Sequence, residues 1–214
     1  MLSSAGVEAT LKLPRRATYA EYLAVEQLSH HRHEFLDGVV VAMAGGSDEH
    51  NAIAGRLAML LGQRVVRGCR YYSADQRFWV AARSRGRYSD GSVICGKPEH
   101  PLHDDQATTN PVVVVEVLSP TTEGDDDGDK RVDSGPEGRV VDFQSLSSLQ
   151  AYVLAAQDRR HVVVYRRDEG GQWGAEPDVY DDGATFKLPT LTAAIAVSDV
   201  YEDILQPDGR SLLR

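Results

Sequence analysis

Two acids stand inside apolar runs: Asp90 in Tyr88-Ser-Asp-Gly-Ser-Val-Ile-Cys95, and Glu116 in Asn110-Pro-Val-Val-Val-Val-Glu-Val-Leu-Ser119. The second run, bounded by Asn110-Pro111 and Ser119-Pro120, reads as a short central strand covered on both faces. Burying an ionised carboxylate there without a partner is costly, so Glu116 must be paired, protonated, bound to a metal or placed at the strand's open end. A strand–loop–strand connection can set Asp90 and Glu116 side by side on neighbouring strands. Like carboxylates a few ångströms apart repel unless a cation lies between them, which points to an oxygen-ligand site for Mg²⁺ or Mn²⁺.

The elements that would position these acids follow from local pattern. Thr18-Tyr-Ala-Glu21 matches a capping box and predicts a helix to about Leu28. His33 to Met43 alternates around Asp37-Gly38, a dipeptide suited to a two-residue hairpin turn. Ser47 or Asp48 caps a second helix that places Ile53, Leu57, Leu60 and Leu61 on one face. Strands are expected near 70–81, 88–95 and 111–118, with a surface loop over 96–110 and a long mobile loop over 124–138. A third helix is expected over about 147–157, burying Leu149, Tyr152 and Val153. Strands at 161–167, 172–180 and 185–188 and a short final helix complete the chain. The class is α/β (α+β), a central mixed sheet with helices packed against it. A single domain over 17–205 is expected between a flexible N-terminal arm, 1–16, and a C-terminal tail, 206–214.

Composition narrows the setting. The 214 residues are 42% hydrophobic and 26% charged, enough for one domain with a sizeable core. Cys69 and Cys95 lie far apart without CxxC spacing, so no disulfide framework or cysteine zinc site is expected. No signal-peptide core and no apolar run of bilayer length is present, so a cytoplasmic protein off the membrane is expected. The net charge of −9 opposes a whole surface built to grip nucleic acid. The charge is uneven, however. From Arg64 to Arg87 seven arginines face one acid, and from Thr121 to Asp142 eight acids face Lys130, Arg131 and Arg139. Taken alone, each run reads as a solvated face.

Six stretches occur in a telling order. They are Glu34-Phe-Leu-Asp-Gly38, His50-Asn51, Tyr71-Tyr-Ser-Ala-Asp-Gln76, Tyr88-Ser-Asp90, Val115-Glu-Val-Leu-Ser-Pro-Thr-Thr122 and Ser148-Leu-Gln-Ala-Tyr-Val-Leu154. In that order the chain from Thr18 to Tyr201 resembles the Uma-two-like restriction endonucleases, a branch of the PD-(D/E)XK nuclease superfamily. The resemblance implies a restriction-endonuclease-like fold and metal-dependent hydrolysis of DNA. It implies Asp90 and Glu116 as metal ligands, with Glu34 completing the metal environment. It also implies a lysine that orients the attacking water. Two residues after Glu116 stands Leu118, and the candidate in the following segment is Lys130. Aligned back from Phe143, the same position falls on Arg139, which would offer charge but could not accept a proton. Both registers stay open. The family's Tyr-Pro-Asp is Tyr88-Ser89-Asp90 here, which keeps the ligand.

Beside these roles stand plainer ones. Asp90 alone is a turn-capping aspartate, Glu34 an exposed strand residue, and Glu116 the acid of a buried ion pair. His50 could line the site or serve only structure, and Gln76 could contact DNA or sit on a sheet surface. His30-His31-Arg32-His33 reads as a solvated link. The expectation is a Mg²⁺- or Mn²⁺-dependent DNA endonuclease acting as a homodimer, its 64–87 arginines meeting the DNA backbone. The alternatives are a catalytically inactive binding or scaffold protein of the same fold and a hydrolase of another phosphate ester.

Overall fold

The computed structural model describes residues 16–118 and 136–204. In helix α1, Tyr19–Leu28, the Thr18 hydroxyl accepts from the Glu21 amide and the Glu21 carboxylate accepts from the Thr18 amide, as the capping box requires. Strands β1, His33–Leu36, and β2, Val39–Ala42, form the expected hairpin. Its turn residues Asp37 and Gly38 both have positive φ, 52° and 86°. Helix α2, Asp48–Arg64, is capped by Ser47 and buries the four predicted apolar residues.

From here the chain passes repeatedly between two sheets. Strand β3, Cys69–Ser73, and strand β4, Arg77–Val80, belong to different sheets, as do β5, Arg85–Tyr88, and β6, Gly91–Cys95. The two strands predicted over 70–81 and 88–95 are each cut where the chain crosses, at Ala74–Gln76 and at Ser89-Asp90. Strand β7, Ala107–Thr108, interrupts the predicted loop over 96–110. Strand β8, Pro111–Leu118, is the expected central strand.

Helix α3 covers Pro136–Gln144, inside what reads as loop, and the rest of that predicted loop, 124–135, lies outside the described residues. The helix predicted over 147–157 is instead strand β9, Ala151–Ala156, buried along its whole length. Covered on both faces, it has no polar side to reveal a period of two, and its continuous apolar run imitates a buried helix. Strand β10, His161–Arg166, matches expectation, and β11, Asp178–Asp181, is shorter than predicted. Strands β12, Thr185–Phe186, and β13, Ile195–Ala196, pair with each other before helix α4, Val197–Val200.

The larger sheet has the order β11-β10-β9-β8-β6-β3, antiparallel except for the β8–β9 pair. The second has the order β2-β1-β5-β4-β7, antiparallel except for β4–β7. The fold is thus mixed α+β, with eleven strands divided between two mixed sheets rather than gathered in one, and β12–β13 paired apart from both.

Alternation along β8 decides what each side chain meets. Val113, Val115 and Val117 pack against Ile53, Leu57, Leu60 and Leu61 of α2 and against the C-terminal segment through Val197 and Val200. Val114 faces the other way, with Phe78 and Val80 of β4 and with Val140 and Phe143 of α3. Glu116, two residues after Val114, points into the seam between the sheets. Cys69 and Cys95 stand opposite each other in the β3–β6 register and are joined by a disulfide, contrary to the expectation of unpaired cysteines. Among the described residues, no helix is long and apolar enough to cross a membrane.

Leu57 is 2% exposed in α2, whereas Met59 is 44% exposed. Urea unfolding is expected to show a loss of about 2–5 kcal/mol for Leu57→Ala and under about 0.5 kcal/mol for Met59→Ala.

Candidate active site

The seam is crossed by ion pairs that begin at Asp142 of α3, which has no solvent exposure. Its Oδ1 accepts from Arg83 Nε at 3.1 Å, and its Oδ2 accepts from Arg85 Nη1 at 2.9 Å and Arg87 Nε at 2.8 Å. Arg85 and Arg87 lie two apart on β5, so both project from its inner face. Arg85 Nη2 also donates to Asp37 Oδ2 at 2.9 Å, which ties the hairpin turn into the same cluster.

Arg87 carries the contact to the acids. Its Nη1 donates to Glu34 Oε2 at 2.8 Å, while the Tyr88 amide donates to Glu34 Oε1 at 3.2 Å. Arg139, three residues before Asp142 and hence on the same helix face, extends the chain of charges. Its Nη1 lies 3.1 Å from Glu34 Oε1 and 3.3 Å from Glu116 Oε1, and donates to the Tyr88 carbonyl at 3.0 Å. Glu34, predicted from sequence alone as an exposed strand residue, is buried beside Glu116 because β1 and β8 face each other across the seam.

Asp90 sits where the chain leaves β5 for β6. Its Oδ2 accepts from the Val117 amide at 2.7 Å and lies 3.2 Å from His50 Nε2. His50 is in the first turn of α2, and a Cβ on Gly46 would stand only 2.6 Å from its Nδ1, so the glycine lets the preceding loop lie against the imidazole. The hydrogen bond to Asp90 raises the basicity of His50 against the opposing effect of burial. Tyr71 closes this side: its hydroxyl donates to the Asp90 carbonyl at 3.3 Å, and burial together with the Asp90 charge pushes it up to about 12.

The structure therefore brings together Glu34, Asp90, Glu116, His50 and Arg139. Gln76 is elsewhere in use, donating to the Arg77 and Gln106 carbonyls at the start of β4. Lys130 lies outside the described residues. Arg77, Arg85 and Arg87 are buried, Arg77 on Asp104 at 2.9 Å, so they cannot meet a DNA backbone. Within that segment Arg67 and Arg70 are the exposed arginines. Sequence reading missed Asp142 and Arg87; the only signals were the three-residue spacing of Arg139 and Asp142 and the two-residue spacing of Arg85 and Arg87.

Glu116 is 8% exposed, and its carboxyl is pushed up to about 8. Burial is the main cause; Arg139 lowers it, and Asp90 and Glu34 raise it. A carboxyl raised from the usual 4.5 favours folding below that pH and loses the contribution as pH rises through about 8.

In atom type and charge the three acids suit a hard divalent cation. As placed, however, they do not form the expected shared site: among the described residues no three His, Cys, Asp or Glu side chains converge as a ligand set. The obstacle is Arg139, whose Nη1 holds the facing oxygens of Glu34 and Glu116.

Residues 19–198 match the family model described as "Uma2: Putative restriction endonuclease". The chain is 30% identical over 185 residues to the uncharacterized protein slr1290 of Synechocystis sp., covering 86% of this chain and 90% of that one. It is 31% identical over 170 residues to the uncharacterized protein sll1609 of the same organism, covering 78% and 88%. Among solved structures it is similar to "a putative nuclease belonging to DUF820 from Anabaena variabilis". That likeness has a TM-score of 0.60 and 18% identity, over 80% of this chain and 90% of that one, and it concerns the fold.

Removing one partner from a buried ion cluster strands the others. Asp142→Asn is expected to cost about 3–5 kcal/mol in urea unfolding, whereas Asp178→Asn, which breaks the exposed pair with Arg166, is expected to cost under about 1 kcal/mol.

Proposed function

The chain belongs to the Uma2 family, and from that premise we propose that it is an endonuclease hydrolysing phosphodiester bonds of DNA at the Glu34–Asp90–Glu116 cluster. The observation that carries the reading is the meeting of these acids at a sheet seam, with Glu34 and Glu116 on one nitrogen of Arg139 and Asp90 close enough to raise the Glu116 carboxyl. A catalytic carboxylate cluster of this kind is costly to fold, and structural needs alone would be met more cheaply by apolar packing.

With Arg139 withdrawn, a Mg²⁺ or Mn²⁺ ion would be held by Asp90 and Glu116, with Glu34 beside them, and would supply Lewis acidity toward the phosphate. The chain's own groups divide the remaining work. Arg139 can donate to a phosphate oxygen but cannot take a proton. His50 holds Asp90 from the side of α2. The exposed Arg67 and Arg70 are the part of the basic segment available to the DNA backbone. A homodimer would present one such site to each strand of a duplex.

A second reading, a nuclease fold kept for binding or scaffolding, is favoured by one observation. Arg139 already pairs with Glu34 and Glu116, as expected of a site that has exchanged chemistry for a fixed ion pair.

Cleavage of supercoiled plasmid in Mg²⁺ or Mn²⁺ separates the two. Under the nuclease reading the wild type nicks or linearises the plasmid, and Asp90→Asn and Glu116→Gln each slow it by at least about 100-fold. A folded wild type that leaves the plasmid intact while retaining DNA on a gel would instead support the binding reading.

A further inference from the structure

We propose that Arg139 is the site's built-in cation and that it competes directly with a divalent ion for Glu34 and Glu116. The proposal rests on the reading of these acids as the functional site. Its basis is the position of a single atom: Nη1 of Arg139 stands 3.1 Å and 3.3 Å from the oxygens that Glu34 and Glu116 turn toward each other. A guanidinium and a metal ion cannot occupy that space together, because both are positive and both need the same two oxygens. Arginine cannot relieve the conflict by losing its proton, as a lysine could.

The surroundings make exchange feasible. The backbone of α3 is fixed one turn away by Asp142, which is fully buried and held by Arg83, Arg85 and Arg87. The Arg139 side chain is itself 22% exposed, so its head can leave for solvent without moving the helix. Glu34 would keep Arg87 on Oε2 and the Tyr88 amide on Oε1, and would stay in place. The departing guanidinium frees the Glu34 and Glu116 oxygens that a metal ion would take.

The test is direct binding of Mn²⁺ to the full chain, followed by loss of the free-ion electron paramagnetic resonance signal. The proteins are the wild type, Arg139→Met, Arg139→Gln, Arg70→Met and the double variant Glu116→Gln/Arg139→Met, each checked for folding by thermal melting. Arg70 is exposed on β3, so its loss reports the effect of net charge alone. The proposal expects Arg139→Met and Arg139→Gln to bind at least about 10-fold more tightly than the wild type. It expects Arg70→Met to change affinity less than about 2-fold, and the double variant to lose the gain. Folded Arg139 variants that bind no more tightly than the wild type would overturn it, as would a gain that survives in the double variant or that Arg70→Met reproduces. Cleavage plays no part in the readout. Tight binding in Arg139→Met with no plasmid cutting by any protein would sink the nuclease reading and leave this one standing.

Discussion

Asp142, itself without access to solvent, holds the guanidinium groups of Arg83, Arg85 and Arg87, and the geometry of the acid cluster depends on that contact. The two buried guanidiniums of Arg85 and Arg87 would be untenable in an apolar seam, and a buried aspartate equally so; together they are tolerated because charge meets charge at hydrogen-bond distance. The contact pins α3 to the inner face of β5. It also fixes Arg87, which orients Glu34, and sets Arg139 one turn away, where it reaches Glu34 and Glu116. Apolar packing of Val140 and Phe143 against Phe78 and Val114 holds the helix on the sheets. The ionic contact adds direction to that packing.

The seam explains how a strand as apolar as β8 tolerates a glutamate. Its odd-numbered valines face α2 and close an entirely apolar layer, while the face that carries Glu116 looks across to β1, β5 and α3. Asp90 reaches the same place from the crossover between β5 and β6, where the chain changes sheets. Function and topology are linked here: each acid stands at a strand or crossover that faces the seam, and the seam exists because the strands divide between two sheets.

Much of this was legible in the chain. The capping box, the Asp37-Gly38 turn, the apolar face of α2 and the central strand β8 each rest on local chemistry, and each is found. Asp90 and Glu116 were visible as charges out of place. What escaped detection depends on distant partners. Strand β9 is covered on both faces, so it lacks the alternation that marks a strand. The crossings at 74–76 and 89–90 are marked only by short polar runs, Ala74-Asp75-Gln76 and Ser89-Asp90, which do not reveal that the chain changes sheets there. The arginines over 64–87 read as a basic surface, but their spacing in β5 turns Arg85 and Arg87 inward to an aspartate 57 and 55 residues away. Nothing local distinguishes a buried arginine from an exposed one.

Glu116 lies buried in a seam where its arginine neighbour only partly offsets the cost of its charge. Side-chain ¹³C NMR of the Glu116 carboxyl, titrated in the wild-type protein without added divalent ions, reads this directly. The account predicts a midpoint near 8. A midpoint at or below the usual 4.5 would mean that the ion pair with Arg139 fully compensates Glu116, and would contradict the account.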